Sequence, residues 1–134
     1  MANPKCVALK CEVKDVFDSK FEPAVRKQIR ETVQKLVDKN KGLTFDDKCK
    51  DGWLLTVTVV SLKVDDPNNP TTIEAKVVID GVPLFGTANG LKATGNTKAT
   101  GIRAKKLEQE VTMVIKDVVD DLMTKQVIPQ MLKP

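Results

Sequence analysis

The residues that most enzymes use for acid–base and nucleophilic chemistry are scarce in this sequence. Its 134 residues include no histidine and no tyrosine, and serine occurs only at Ser19 and Ser61. Histidine is the side chain whose unperturbed pKa lies near neutral pH, and it is the commonest metal ligand. Serine–histidine and cysteine–histidine catalysis are therefore excluded. We expect a protein that is not an enzyme and that has no catalytic residue, metal or cofactor.

Long apolar runs are also missing. Threonines interrupt the run that begins at Trp53, and no stretch approaches the roughly 18 apolar residues that crossing a bilayer requires. We therefore expect no membrane span. Apolar residues still make up 41% of the sequence and charged residues 30%, which is typical of a globular protein and not of a disordered one. A chain of this length is expected to form a single domain, 1–134, with one core.

Aromatic residues are few, and basic residues are unevenly placed. The sequence has four phenylalanines and one tryptophan, and none of them form the aromatic platform on which nucleic-acid modules stack bases. The net charge is +4, and no acidic residue stands between Asp80 and Glu108. The lysines and arginine of this region are candidates for a weak contact with an anion, a polyanion or a protein partner. They are Lys92, Lys98, Arg103, Lys105 and Lys106.

Part of this basic region repeats the word Lys-Ala-Thr-Gly, at 92–95 and again at 98–101. Gly90 and Gly95 have the glycine spacing of a phosphate-binding P-loop, but Asn96 stands where that motif requires lysine. We therefore interpret 86–101 as a glycine-rich loop. Two roles stay open for it: a flexible connection, and a weak anion contact at the start of the helix that follows.

Hydrophobic periodicity predicts an α+β fold. Alternation with period two indicates strands, and apolar residues at helical spacing indicate two amphipathic helices, the second ended by Pro129. The order β-α-β-β-(β)-α describes a small, mostly antiparallel sheet of three or four strands with both helices on one face. A sheet edge or the other, partly open face is the expected working surface. The predicted elements are a strand 5–13, a helix 20–40, hairpin strands 53–64 and 71–81, the loop 86–101 and a helix 102–127.

The cysteines allow one disulfide. Cys6 and Cys11 are five residues apart on one predicted strand and face opposite sides, so they cannot readily pair. If this strand and strand 53–64 are parallel neighbours joined by the first helix, their starts lie together and Cys6 approaches Cys49. A Cys6–Cys49 disulfide would imply an oxidising compartment. The alternative is three reduced cysteines, one of them packed as a small hydrophobic residue.

The order strand, basic helix, long hairpin, loose segment and terminal amphipathic helix resembles that of small bacterial envelope modules. Examples are the amino-terminal domain of the TolB type and the accessory lipoproteins of lipopolysaccharide assembly or of transporters. The resemblance covers most of the chain and concerns element order alone. It implies a periplasmic or exported, non-enzymatic module that binds other proteins, and Met1-Ala2 is then either a native start or a replacement for a signal peptide. The alternative is a cytoplasmic protein that binds anions or nucleic acid through 90–106.

Overall fold

A five-stranded mixed sheet forms one layer of the protein, and helices cover one of its faces. The computed structural model describes residues 4–48, 50–84 and 89–133. The spatial order of the strands is β2-β1-β3-β4-β5, in which β1 is parallel to both of its neighbours and the other pairs are antiparallel. The strands are β1 (Lys5–Val13), β2 (Leu43–Phe45), β3 (Trp53–Val64), β4 (Thr72–Pro83) and β5 (Leu91–Thr100).

Two amphipathic helices pack side by side on this sheet. The first, α1 (Glu22–Asp38), follows a 3-10 turn at Ser19–Phe21, and the second, α2 (Leu107–Leu122), follows one at Ala104–Lys106. Asp18 begins the first turn, because its side chain accepts a hydrogen bond from the backbone N–H of Lys20 at 3.1 Å. The helix predicted at 20–40 is thus confirmed, with its regular part slightly shorter.

The helix α1 connects two parallel strands, β1 and β3. In the sequence analysis this parallel pairing was only an assumption behind the Cys6–Cys49 disulfide. Their register places Val7 opposite Trp53 and Val13 opposite Val59. Parallel strands require a crossover connection, and a helix that packs on the sheet supplies one here. The starts of β1 and β3 therefore lie at the same end of the sheet.

The hydrophobic core lies between the sheet and the helices. At Gly95 of β5, an added Cβ would lie 3.0 Å from Cγ2 of Val118 and 3.1 Å from Cδ2 of Leu122. The helix α2 therefore rests directly on the backbone of β5. Most of the largest fully buried side chains come from α1, β3, β4 and α2, and they include Ile29, Leu55, Leu62, Ile73, Ile79 and Ile115.

The predicted glycine-rich loop 86–101 is wrong for residues 91–100, which form β5. This strand pairs with β4 from Gly81 opposite Leu91 to Thr72 opposite Thr100. Together with β2, which was not predicted, it gives the sheet five strands instead of three or four. The face of β5 toward α2 carries mostly small residues because the helix approaches so closely, and small residues do not mark a strand in sequence. Residues 86–88 of the predicted loop lie outside the described residues.

The carboxyl-terminal helix starts and ends later than the predicted 102–127. It begins at Leu107 and continues through a π-helical turn, Met123–Val127, into a last helical turn, Ile128–Met131. Pro129 does not end the helical path. It lies in the first turn of the last segment, directly after the π-helical turn, in which the N–H of Ile128 donates to the carbonyl oxygen of Met123. The ammonium of Lys5 on β1 holds this end, donating to the carbonyl oxygen of Met131 at 2.6 Å.

Candidate interaction site

The strand β5 is the long edge of the sheet. Its one neighbour in the strand order is β4, and the opposite edge, β2, has only three residues. An edge strand presents backbone N–H and C=O groups that no second strand satisfies. In the part of the chain that the structure describes, no strand pairs with the outer side of β5.

Hydrogen bonds at the two ends of β4 identify which backbone groups of β5 face outward. The N–H of Leu84 donates to the carbonyl oxygen of Gly52 at 2.9 Å, and Thr72 accepts from the N–H of Asp65 at 3.3 Å. Even-numbered residues of β4 therefore bond toward β3, and its odd-numbered residues bond toward β5. The register matches these with odd-numbered residues of β5. The outward backbone groups belong to Lys92, Thr94, Asn96, Lys98 and Thr100.

The open face of the sheet contains a polar depression of about 420 Å³ beside this edge. Polar side chains from three strands line it in two rows that follow the register. The register of β3 shifts between Val59 and Ser61, and such a β-bulge locally re-aims side chains. One row is Ser61, Lys76 and Asn96, and the next is Lys63, Glu74 and Lys98.

Positive charge exceeds negative charge in this depression. Three lysines, Lys63, Lys76 and Lys98, and one acidic residue, Glu74, line it, and the carboxylate of Glu74 lies 3.5 Å from Nζ of Lys98. Lys76 stands between neutral neighbours in the register, and it has no ion-pair partner among the described residues. Asp65 lines an adjoining depression together with Lys63, Glu74 and Lys98, so the unbalanced positive charge is that of Lys76.

The structure divides the five predicted contact residues between two places. Lys92 and Lys98 are exposed on the open-face side of β5. Arg103 lies before α2 and is held by Glu110, whose Oε1 is 2.8 Å from Nη2 and 2.9 Å from Nε of the guanidinium. Lys105 and Lys106 lie in the 3-10 turn that precedes α2. Whether any of these residues binds an anion or a partner stays a prediction.

Sequence reasoning singled out only one of the three depression lysines, Lys98. The sequence predicts that Lys63 and Lys76 lie on strands. Periodicity within a strand does not show how neighbouring strands align, so it could not predict that these two lysines lie close together. One feature of the sequence could have indicated the position of Lys76. The charged residues Glu74 and Lys76 alternate with apolar residues, a pattern that indicates a solvent-exposed face of a strand.

The two cysteines of β1 differ in their surroundings. Cys11 has a free, half-buried thiol, and burial raises the pKa of that thiol while the nearby Arg26 opposes the rise. Cys6 lies beside the chain that leads into β3, and a Cβ added at Gly52 would collide with the carbonyl oxygen of Cys6. Cys49 lies outside the described residues, so the Cys6–Cys49 disulfide stays a prediction.

Membrane-spanning and metal-binding features are not found in the described ranges. No helix within 4–48, 50–84 or 89–133 combines the length and the apolar character needed to cross a membrane. The same residues contain no group of three or more histidine, cysteine or acidic side chains arranged to hold a metal ion.

Comparison with known proteins identifies the fold. No family model and no curated protein matches the sequence. Among solved structures, the chain is similar to the PelC dodecamer from Paraburkholderia phytofirmans, with a TM-score of 0.61 and 9% identity over 92% of this chain and 89% of that chain. It is also similar to the hypothetical protein CT253 from Chlamydia trachomatis, with a TM-score of 0.54 and 9% identity over 87% and 98% of the two chains.

A third similar structure is a minor lipoprotein from Acinetobacter baumannii, with a TM-score of 0.51 and 12% identity over 95% of this chain and 90% of that chain. Identities this low establish a common fold and nothing finer. The predicted class is confirmed: the chain is an α+β protein with two helices packed on a sheet, although the sheet is mixed and has five strands.

Proposed function

We propose that this chain is a non-enzymatic binding module of a bacterial cell envelope, and that it captures a protein partner at the outer edge of β5. The observation that carries the proposal is the length of this edge. Ten residues pair with β4 on one side and leave the backbone groups of every second residue directed outward on the other. An extended segment of a partner could add here as a sixth strand, with affinity from main-chain hydrogen bonds and specificity from side chains.

The envelope location is supported by the fold, and the predicted disulfide would agree with it. The element order resembles that of envelope modules, and one of the similar solved structures is a minor lipoprotein. The predicted Cys6–Cys49 disulfide would also be stable in the oxidising periplasm and not in a reducing cytoplasm.

The non-enzymatic character is supported by where shifted pKa values occur. Active sites bring such groups together in a cleft. Among the described residues, the groups with shifted pKa values are Cys11, Arg30, Asp65 and Lys125. The pKa of Arg30 is raised mainly by its hydrogen bond to Asp47, and Arg30 and Cys11 also act on each other electrostatically. The shifts at Asp65 and Lys125 arise from hydrogen bonds to partners elsewhere, in the turn after β3 and near the end of α2.

A pair of proline substitutions on neighbouring residues of β5 tests the proposal. Asn96→Pro removes an N–H that points outward, so it deletes a donor for the partner strand and leaves pairing with β4 intact. Thr97→Pro removes an N–H that points toward β4, so it breaks the ladder inside the protein. The probes are peptides selected from a random library against the immobilised wild-type protein.

We expect the selected peptides to bind the Asn96→Pro variant at least about tenfold more weakly, since strand addition loses a central main-chain hydrogen bond. The urea midpoint of this variant should stay close to that of the wild type, whereas Thr97→Pro should lower it. Equal binding of the peptides to wild type and Asn96→Pro would show that the edge of β5 is not the binding site.

A further inference from the structure

We infer that the strand captured by β5 is acidic, and that the lysines of the open-face depression, with Lys76 foremost, recognise its carboxylates. This inference rests on the proposed function and adds the chemistry of the partner. Its basis is the unbalanced positive charge that lies directly beside the free edge.

The position of the depression relative to an added strand is set by sheet geometry. A sixth strand would lie about 4.8 Å outside β5 and roughly 10 Å from β4. Its open-face side chains would stand opposite Asn96 and Lys98, at the separation of a cross-strand pair. The long stem of Lys76 on β4 can extend over Asn96 toward the same place, because Asn96 lies between Lys76 and the edge.

The charge balance favours a carboxylate at this place. A partner carboxylate would meet the ammonium groups of Lys76 and Lys98, while Glu74 already pairs with Lys98 and leaves Lys76 unpaired. Lys92, further along the same edge, lies on the same face, but Asp80 of β4 stands directly opposite it in the register, so Lys76 remains the main site of unbalanced charge. Opposite charges on neighbouring strands stabilise pairing, and an acidic strand is therefore preferred to a neutral one.

A second copy of this chain is a poorer occupant of the edge. The strand β5 contains two lysines and no acidic residue, so a copy laid beside it supplies no carboxylate. The like-charged side chains of Lys92 and Lys98 from both copies would share one face, which disfavours pairing. Lysine on an edge strand is a common means by which proteins avoid such self-association.

Two fluorescent peptides of about eight residues test the charge preference, since a strand of that length can span most of the edge. One alternates threonine with glutamate, and the other alternates threonine with glutamine. Binding is measured by fluorescence anisotropy at low and at raised salt. We expect the glutamate peptide to bind the wild type at least about tenfold more tightly at low salt, and this preference to shrink as salt screens the charges.

A matched pair of charge reversals locates the effect. Lys76→Glu lies in the depression, whereas Lys39→Glu lies at the end of α1, away from the sheet's open face, and changes the net charge equally. We expect Lys76→Glu to weaken binding of the glutamate peptide about tenfold and to leave the glutamine peptide nearly unchanged. The Lys39→Glu variant should change neither affinity by more than about twofold, because exposed charges beyond a Debye length are screened.

The possible outcomes separate this inference from the proposed function. Failure of the glutamate peptide to bind the wild type, or an equal loss in both charge reversals, overturns the inference. If both peptides bind equally well and both lose affinity for Asn96→Pro, the acidic preference is wrong and edge capture stands. If neither affinity responds to Asn96→Pro, edge capture is wrong as well. A wild type that is oligomeric in light scattering, with a monomeric Asn96→Pro variant, would place a second copy at the edge and also overturn the inference.

Discussion

The contact between α2 and the backbone of β5 can be tested by adding a side chain at Gly95. An added Cβ would approach Cγ2 of Val118 to 3.0 Å and the two methyl groups of Leu122 to 3.1 and 3.2 Å. Carbon atoms normally meet at about 3.5–4.0 Å. Gly95→Val brings two further methyl groups into the same space, so we expect the helix to be forced away from the strand.

The size of the effect follows from two opposing contributions. Overpacking a well-filled core costs about 1–3 kcal/mol, and the three close contacts place Gly95→Val in the upper part of that range. Valine also has a higher strand propensity than glycine, and this difference raises the free energy of unfolding by up to about 1 kcal/mol. We therefore expect the free energy of unfolding to fall by about 1–2 kcal/mol. At about 2 kcal/mol per molar urea, this lowers the midpoint by about 0.5–1 M.

The assay is urea unfolding followed by the fluorescence of the half-buried Trp53, the only tryptophan in the chain. Gly95→Ala adds only the Cβ and should have a smaller effect, because the ends of two side chains can shift slightly. Thr94→Val is the matched control on the adjacent, exposed position, where we expect a change within about 0.5 kcal/mol. A Gly95→Val midpoint equal to or above that of the wild type would refute the packing of α2 on β5 at this residue.

Two further predictions concern the turn after β3 and the cysteines. Hydrogen bonds from the hydroxyl and the N–H of Thr71 hold the pKa of the Asp65 carboxyl well below its usual range. A group with a lowered pKa stabilises the fold above its unfolded pKa and loses this contribution as the pH falls toward the folded value. Asp65→Asn should therefore have a lower urea midpoint than the wild type at pH 7, with a gap that narrows below about pH 4; a gap that does not change with pH contradicts this. The second prediction concerns the disulfide: the protein is unfolded without reductant and alkylated, and the modified cysteines are identified by mass spectrometry. We expect only Cys11 to be modified. Modification of all three cysteines would rule out the Cys6–Cys49 disulfide.

Much of the architecture could be predicted from periodicity alone. Alternation in β1 and in the long hairpin, and helical spacing in α1 and α2, depend on which residues face the core, and each element carries that pattern within itself. The strand β2 was missed because three residues are too few to show a period. It exists because it pairs with β1, and this pairing is not encoded locally.

The strand β5 shows most clearly where local signals fail. Its inward positions include the small residues Ala93, Gly95 and Ala99, and at Gly95 the side chains of Val118 and Leu122 of α2 lie directly against the strand. In sequence these residues, together with two repeats of Lys-Ala-Thr-Gly, are typical of a loop. Pairing with β4 and contact with α2 stabilise the strand instead, so tertiary contacts override a weak local preference.

The candidate site divides in the same way. The sequence alone established that histidine-based catalysis is excluded, that basic residues gather before α2, and that one sheet face is polar. Only the tertiary structure placed Lys63, Lys76 and Lys98 in one depression, because strand register and the bulge in β3 join positions far apart in the chain. It also made β5 an edge, since strand order arises from the packing of the whole sheet and not from any single segment.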